Sequence, residues 1–331
     1  MLLELAQRAP VQRVSWLPWE TRGVEVAIWR LDLLDAAAPG NKLFKLAKNL
    51  QVARGEGYSR LLSFGGAFSN HIHALALSGR AAGFETVGVI RGESSASENP
   101  TLRDAVDAGM QLHFVDRETY RALTQNSLRS NDLLAELQQR YGPCYVVPEG
   151  GANRLGVLGC RALGTAIGEM AVPPDCVVLP AATGSTLAGV VAGLNNRSHV
   201  LGIAVLKGGA FIARQVQEHL REIGAGQCTE GLGAEGQSTE EQNKAWRIDL
   251  DHHAGGYARA SASLRRFVAQ FAAQTGIGVE PVYSGKMLYA IHQLIERGEF
   301  ARGTRILAVH TGGMQGARGA GFQAGTMTSC R

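Results

Sequence analysis

The chain has 331 residues, of which 42 are glycine, 45% are hydrophobic and 19% are charged, and its formal net charge is +4. Glycine is about twice as frequent as in average proteins, but the ordinary apolar content and only 10 prolines exclude collagen-like, low-complexity and disordered chains. The mild charge forms no basic patch or stripe, which argues against nucleic acid as a partner.

Apolar, β-prone runs alternate with helical patterns along most of the chain. They predict strands at 61–64, 86–90, 111–115, 145–147, 176–179, 200–206 and 305–309, with one helix at 100–108 and a long one at 118–140. This alternation predicts an α/β fold with parallel sheets covered on both faces, in which ligands bind at the carboxyl ends of the strands. The length is typical of two domains or lobes.

A polar interval at 224–245 interrupts this alternation, and we expect it to be an exposed excursion. It contains a GxGxxG pattern at 231–236, and a GxGxxA pattern lies at 319–324. A dinucleotide site needs a strand before such a pattern and a helix after it, within a βαβ unit. Neither pattern has this context, so a nicotinamide or flavin dinucleotide is disfavoured.

The remaining composition bears on metals and compartment. Five widely spaced cysteines without a CxxC pair favour reduced thiols over zinc. His71 and His73 are two residues apart, and on a helix such residues do not face each other, so we expect no metal site. No stretch approaches the ~18 apolar residues of a membrane span, and the N-terminal residues lack a long apolar signal core. We therefore expect a cytoplasmic protein without a membrane partner.

The first candidate site residue is Lys42, in a Gly-Asn-Lys sequence that begins a helix pattern. The positive end of a helix dipole lowers the pKa of a lysine there, which suits an amine that forms a Schiff base. Taken alone, the same sequence is also typical of an ordinary turn followed by a solvated lysine.

A second motif, Ser-Phe-Gly-Gly-Ala-Phe-Ser-Asn-His, runs from a strand into a helix at 63–71. Ser69 and Asn70 fall at the helix start, where free N–H groups, a hydroxyl and an amide can bind a carboxylate or another anion. The alternative is a plain capped junction.

The third motif is a run of small residues at 182–189, after a predicted strand. Its backbone amides and hydroxyls can surround a phosphate at a helix start. The spacing of its glycines is that of a P-loop, but Val190 and Val191 replace the lysine and hydroxyl that nucleotide hydrolysis needs. A close-packed turn is the alternative. Glycine pairs at 150–151 and 312–313 also follow predicted strands, where a ligand is expected.

Together these motifs resemble the pyridoxal-phosphate enzymes of the tryptophan-synthase-β type (fold type II). More narrowly, GNK, GGxxSN, TGST, PVYxGK and HxGG, in that order from 40 to 313, resemble the family of 1-aminocyclopropane-1-carboxylate deaminase and D-cysteine desulfhydrase. The resemblance implies two open twisted parallel-sheet lobes, each a three-layer αβα structure, with the cofactor cleft between them. It places the larger lobe at 1–50 plus 153–331 and the smaller at 51–152, in a homodimer.

The resemblance also implies roles for individual residues. Lys42 would carry the cofactor as a Schiff base, Asn70 would bond its phenolic oxygen, and Ser69 would line the substrate carboxylate site. Tyr283 and Tyr257 would stand near the substrate as acid/base or positioning groups. Further contacts to the cofactor would come from the phosphate loop Thr183, Gly184, Ser185 and Thr186, from Ser284 at the pyridine nitrogen, and from Thr311 and Gly312 along the ring.

Departures from the family pattern favour one reaction. The deaminase pattern has glutamate where Ser284 stands and glutamine where His71 stands, and a neutral serine suits β-elimination better than opening of a cyclopropane ring. Phe44 and Phe68 replace a usual arginine and a usual glutamine. We expect a lyase that converts a small β-substituted amino acid, such as D-cysteine, into a 2-oxo acid and ammonia. The alternatives are 1-aminocyclopropane-1-carboxylate deamination and a non-catalytic module that binds pyridoxal phosphate or a small anion.

Overall fold

Strands and helices alternate along the chain in a computed structural model, which describes residues 1–34, 40–93, 99–125, 128–225 and 245–314. The strands are β1 (Val11–Val14), β2 (Glu25–Arg30), β3 (Arg60–Gly66), β4 (Glu85–Arg91), β5 (Gln111–Val115), β6 (Tyr145–Val147), β7 (Cys176–Ala181), β8 (His199–Ala204), β9 (Trp246–Asp249) and β10 (Arg305–His310). The helices are α1 (Leu2–Gln7), α2 (Leu17–Glu20), α3 (Asn41–Gly55), α4 (Asn70–Ala81), α5 (Pro100–Asp107), α6 (Arg117–Thr124), α7 (Leu128–Tyr141), α8 (Arg154–Gly168), α9 (Ser185–Leu194), α10 (Phe211–Glu222), α11 (Ala262–Thr275) and α12 (Ser284–Glu296).

The described strands form two sheets. A six-stranded sheet has the order β1-β2-β10-β7-β8-β9, and a four-stranded sheet has the order β5-β4-β3-β6. Every pair is parallel except β1 with β2, which is antiparallel. The link between those two strands holds only the short α2, and a parallel crossover needs a dozen or more residues. The expected α/β fold with parallel sheets is confirmed, with β1 as its antiparallel edge.

The two sheets draw on different parts of the chain. All four strands of the smaller sheet lie between residues 60 and 147, and the strands of the larger sheet lie before and after them. Helix α3 (Asn41–Gly55) crosses the predicted boundary at residue 50. A division into lobes at 51 and 152 stays a prediction.

Most predicted strands coincide with observed ones, but β1, β2 and β9 have no counterpart in the prediction, and the predicted helix at 118–140 is two helices. Gln125 leaves helical geometry at φ −94°, ψ 139°. The Thr124 hydroxyl donates to the Tyr120 carbonyl, and the Ser130 hydroxyl to the Leu123 carbonyl. Both bonds satisfy carbonyls in the last turn of the first helix, at the point where it ends.

Several glycines lie where helices pack at backbone distance. A Cβ on Gly159 of α8 would lie 1.9 Å from the Phe44 carbonyl oxygen of α3. Likewise, a Cβ on Gly189 of α9 would lie 2.5 Å from Cys160 Cβ of α8. Helix α8 thus packs tightly against both helices, which places the N-termini of α3 and α9 beside each other.

Some predicted features lie partly or wholly outside the described residues. They include most of the interval at 224–245 and both GxGxx patterns. Cys144, Cys160 and Cys176 are buried free thiols, while Cys228 and Cys330 fall outside. Within the described residues, no helix combines the length and apolar character that a membrane crossing requires.

Candidate active site

Lys42 lies in the first turn of α3, at a helix start that only glycine can make. Gly40 precedes the helix at φ 86°, and a Cβ there would lie 2.0 Å from the Thr311 carbonyl oxygen. That carbonyl accepts the Asn41 amide at 3.2 Å. The start of α3 is therefore fixed against the segment that follows β10, so Lys42 and Thr311 belong to one site.

The amine of Lys42 has an unusually low pKa. Burial lowers it from 10.5 to about 7, and the charge of the neighbouring Lys45 adds to the effect, while Cys160 opposes it. The structure thus supplies two causes besides the helix dipole expected from the sequence. Lys42 Nζ donates to Asn41 Oδ1 at 3.3 Å. Near neutral pH, a large fraction of this amine is unprotonated and nucleophilic.

The loop at 183–186 ends β7 and begins α9. Gly184 takes the left-handed conformation, φ 72°, and no side chain caps the helix. The Thr183 and Ser185 hydroxyls lie 3.0 Å apart, and Asn41 Nδ2 donates to Thr186 Oγ1 at 2.8 Å. Free amides at the start of a helix, flanked by hydroxyls, are the donor set that a phosphate needs. The bond from Asn41 ties this loop to the turn that carries Lys42.

Ser69 and Asn70 begin α4 at the carboxyl end of β3. Ser69 Oγ accepts the Ile72 amide at 3.3 Å, as the capped-junction alternative requires. Gly65 makes room for this turn, because a Cβ there would lie 2.6 Å from Ser69 Oγ. Asn70 reaches the segment after β10, where a Cβ on Gly313 would lie 2.2 Å from Asn70 Nδ2. The smaller sheet therefore meets the larger one at the Asn70 amide.

Ser284 is fully buried at the start of α12 and lies beside His310. Ser284 Oγ is 3.5 Å from His310 Nδ1, and that nitrogen accepts the Gly312 amide at 3.2 Å. The other ring nitrogen, Nε2, lies 3.1 Å from the Gly278 carbonyl, to which it must donate. Burial lowers the pKa of His310, and Asp32 opposes this. A neutral imidazole therefore stands behind the Ser284 hydroxyl.

Tyr283 and Tyr257 come together although they are far apart in the sequence. The Tyr283 hydroxyl donates to the Tyr257 hydroxyl at 3.1 Å, and the rings meet edge to face. Tyr257 is 46% exposed, whereas Tyr283 is half-buried. Burial raises the pKa of both phenols, so both are neutral donors at physiological pH.

Two buried residues that the sequence reasoning gave no role hold this tyrosine pair in place. The Glu280 carboxylate accepts the backbone amides of Val282, Tyr283 and Ser284 at 2.5 to 2.9 Å. Burial raises the pKa of Glu280 to about 8, against the effect of these bonds. Lys286 Nζ donates to the Val205 and Gly256 carbonyls at 2.9 and 2.5 Å. The PVYSGK sequence contains Lys286, but its carbonyl partners lie in distant segments that no sequence pattern identifies.

Lys45 and His71 complete the surroundings of Lys42. Lys45 Nζ donates to the Gly150 carbonyl at 3.1 Å. His71 Nε2 lies 2.8 Å from Ser63 Oγ, whose proton goes to the Val147 carbonyl at 2.6 Å, so His71 donates to the serine. Burial and the two lysine charges hold the pKa of His71 well below its usual value. His71 is therefore a neutral side chain. Among the described residues there is also no group of three or more side chains that could hold a metal ion.

The structure therefore gathers the predicted site residues into two connected groups. Lys42, Thr311, Gly312 and the 183–186 loop meet around Asn41 and Gly40, and Asn70 joins them at Gly313. Ser284 meets the same segment through His310, and Tyr283 and Tyr257 adjoin Ser284. A reactive amine, a phosphate-type donor set and a buried hydroxyl in one site fit pyridoxal phosphate.

Comparisons with known proteins agree with this chemistry. A family model described as pyridoxal-phosphate dependent enzyme matches residues 20–312. A Pyrococcus horikoshii protein, whose name gives a provisional assignment as 1-aminocyclopropane-1-carboxylate deaminase, is 29% identical over 93% of this chain and 94% of its own length. A D-cysteine desulfhydrase of Klebsiella pneumoniae is 30% identical over 88% of this chain and 87% of its own.

A solved structure extends the agreement to the fold. A crystal structure of a homologue of ACC (1-aminocyclopropane-1-carboxylate) deaminase superimposes with a TM-score of 0.77 at 25% identity. The match covers 96% of this chain and 95% of that chain. The chain therefore belongs to the pyridoxal-phosphate-dependent enzymes and, among them, to the family of 1-aminocyclopropane-1-carboxylate deaminases and D-cysteine desulfhydrases.

Proposed function

We propose that the chain is a lyase that removes a β-substituent from a small amino acid and yields a 2-oxo acid and ammonia, as a D-cysteine desulfhydrase does. The observation that carries this reaction type is Ser284, a neutral and fully buried hydroxyl with a neutral histidine behind it. A neutral partner does not keep the pyridine nitrogen protonated, and an unprotonated ring is a weaker electron sink. Such a site suits loss of a Cα proton followed by departure of a good leaving group.

The residues around Lys42 would hold the cofactor. Lys42 Nζ would bind it covalently, the 183–186 loop would bind its phosphate, and Asn70 would donate to its phenolic oxygen. Ser284 would meet its ring nitrogen, while Thr311 and Gly312 would line the ring. When bound, pyridoxal phosphate supplies electron withdrawal from the bonds to the substrate Cα.

The substrate would lie between the Ser69 turn and the tyrosine pair. The N-terminus of α4, with the Ser69 hydroxyl, suits the α-carboxylate. Lys42 Nζ, with a pKa of about 7, can accept the Cα proton once the substrate amine has displaced it. The hydroxyls of Tyr283 and Tyr257, 3.1 Å apart, can donate to the departing group.

A 1-aminocyclopropane-1-carboxylate deaminase is the second candidate, because the Pyrococcus relative bears that name. The deaminase pattern has an acidic group opposite the pyridine nitrogen, which keeps the ring protonated and makes it a stronger electron sink. The Glu280 carboxylate, which bonds the Ser284 amide, is engaged by three backbone amides. This arrangement supports elimination over ring opening.

The test uses purified holoenzyme. We expect a visible absorbance band that borohydride abolishes, and we expect Lys42→Ala, but not Lys48→Ala on the same helix, to lack this band. D- and L-cysteine, β-chloroalanine and 1-aminocyclopropane-1-carboxylate are then assayed for ammonia, pyruvate and 2-oxobutanoate. Pyruvate without 2-oxobutanoate supports elimination, and 2-oxobutanoate without pyruvate favours the deaminase. A reducible band without any product contradicts both. Light scattering checks the homodimer that we also propose.

A further inference from the structure

Two opposite charges at the carboxyl edge of the smaller sheet have no part in the proposed reaction. Arg91 ends β4 in register with Gly66 of β3, three residues before Ser69. A Cβ on Gly66 would lie 3.7 Å from Arg91 Nη2. Glu149 follows β6, the neighbour of β3 on its other side. Both charges therefore lie at the edge where the Ser69 turn begins, and both side chains are exposed.

The buried Tyr120 lies near both charges. The Arg91 guanidinium carbon lies 5.3 Å from the centre of the Tyr120 ring, a cation–π distance. Burial and Glu149 raise the pKa of the Tyr120 hydroxyl, and Arg91 lowers it. Burial also raises the pKa of Glu149, which Tyr120 and Arg91 oppose. Within the described part of the chain, no ion pair of 4 Å or less involves Arg91 or Glu149. The two charges are held near one phenol without neutralising each other in direct contact.

Both charges also act on a residue outside the smaller sheet. Tyr257, which pairs with Tyr283 on the side of the larger sheet, has its pKa raised by Glu149 and lowered by Arg91. The Tyr257 side chain is exposed. The Ser69 turn thus has one cation and one anion at its edge of the sheet, and the tyrosine pair lies within the electrostatic range of both.

We propose that Arg91 and Glu149 bind the far end of the substrate's side chain, and that this end is a second amino-acid group. Its carboxylate would meet Arg91 and its ammonium would meet Glu149. The substrate class is then two amino acids joined through a heteroatom at Cβ, such as the thioether lanthionine. Phe68, next to Ser69 and 48% exposed, offers apolar surface for the thioether. This inference rests on the proposed function, since it assumes that the α-carboxylate lies at the Ser69 turn.

The reaction balances without any oxidant or reductant. The Cα–H bond breaks and its proton passes to Lys42 Nζ. The Cβ–S bond breaks with both electrons on sulfur, which takes up a proton and leaves as the thiol of cysteine. Water releases the remaining three carbons as pyruvate and ammonia, so that lanthionine and water give cysteine, pyruvate and ammonia. Arg91 and Glu149 would hold the departing cysteine.

Binding to the holoenzyme tests the inference without turnover. The probe is 2,6-diaminoheptanedioate, which has the shape of lanthionine but no leaving group, and the reference is 2-aminoheptanoate, which lacks the distal charges. We expect calorimetry to show about tenfold tighter binding of the diacid, which Arg91→Gln or Glu149→Gln removes. Arg13→Gln in β1 and Glu136→Gln in α7, both exposed, are matched controls, and we expect them to keep the tenfold preference for the diacid. Equal affinity of the wild type for both probes overturns the inference.

Turnover separates this inference from the proposed function. Pyruvate release is measured for the stereoisomers of lanthionine and for D- and L-β-chloroalanine, whose leaving group is small. We expect Arg91→Gln to lower kcat/KM for lanthionine about tenfold and to change β-chloroalanine less than twofold. Equal losses on both substrates overturn the inference, because Arg91 then acts on the α-carboxylate or on the fold. No turnover of β-chloroalanine by the wild type contradicts the proposed function, while the binding experiment still judges the distal site.

Discussion

Lys286 is a buried residue that holds the loop of a proposed substrate contact, Tyr257, in place. Its amine bonds the carbonyl after β8 and the Gly256 carbonyl, next to Tyr257. Burial lowers its pKa to about 8, although the Glu280 charge opposes this. The lysine therefore joins α12, which begins beside Tyr283, to the loop that carries Tyr257.

We expect Lys286→Met to lower kcat more than it lowers cofactor content. Methionine fills the space, but it leaves two carbonyls unpaired and frees the Tyr257 loop, at a cost of about 1–3 kcal/mol per buried group. Steady-state kinetics, the visible band and the melting temperature are compared with those of Lys48→Met. A variant that melts lower but keeps wild-type kcat and KM would show that Lys286 has only a structural role.

We expect Gly313→Ala to disturb the Asn70 amide specifically. Gly313 has φ 92°, and a Cβ there would lie 2.2 Å from Asn70 Nδ2. Gly303 has a similar φ of 85° with nothing within 4 Å, so Gly303→Ala carries the same backbone strain, about 1–2 kcal/mol, without the contact. A shifted visible band and weaker cofactor retention are expected for Gly313→Ala alone. If both variants behave alike, backbone strain is the whole effect.

At the scale of elements, the packing of α3 on α8 positions Lys42. Asn49 of α3 is fully buried and bonds Asn153, which in turn caps α8 through the Gly156 amide at 2.8 Å. Gly159 of α8 lies directly on the backbone of α3. Because a backbone carbonyl cannot move aside as a flexible side chain can, the two helices have little freedom to shift.

We expect Gly159→Ala to destabilise the protein by about 1–3 kcal/mol or more, as overpacking does. Its Cβ would lie 1.9 Å from the Phe44 carbonyl oxygen. Gly168→Ala on the same helix meets nothing closer than 3.5 Å, so the gain in helix propensity, up to about 1 kcal/mol, should make it neutral or stabilising. Urea unfolding of both variants measures the difference. Equal free energies of unfolding would contradict close packing at Gly159.

The elements that the sequence predicted best are those with local boundaries. Strands β5 and β6 lie next to glycine, proline or aspartate, and their observed bounds equal the predicted ones. Strand β9 is only four residues long and two of them are charged, so it is a strand only because it pairs with β8. The motifs of the site were likewise local, whereas Glu280 and Lys286 act through burial and through partners remote in the chain, which a single sequence does not reveal.

At the scale of the whole molecule, buried neutral histidines make stability depend on pH. The pKa of His71 lies well below 6.5 in the folded chain, because of burial and the charges of Lys42 and Lys45. The unfolded chain therefore binds more protons below pH 6.5, so this contribution is complete above that pH and is lost as the pH falls further. His310, also shifted downward by burial, acts in the same direction.

We expect the free energy of unfolding to decrease between pH 6.5 and 5.5, and His71→Gln to reduce the decrease by up to about 1.4 kcal/mol. Glutamine can still donate to Ser63 but does not titrate. His199→Gln, an exposed histidine at the start of β8, is the control and should keep the wild-type slope. Urea unfolding at both pH values gives the comparison, and parallel curves for all three proteins would contradict a buried neutral His71.

The Asn41 side chain uses both ends of its amide. Its nitrogen donates to Thr186, and its oxygen accepts from Lys42. In the proposed reaction a substrate amine displaces Lys42, and the freed amine would then have Asn41 Oδ1, in the same helical turn, as its hydrogen-bond acceptor. Its return is an intramolecular reaction of an already oriented amine, which proceeds at a very high effective concentration. On the proposed mechanism, Asn41 would therefore speed the recovery of the enzyme after each turnover.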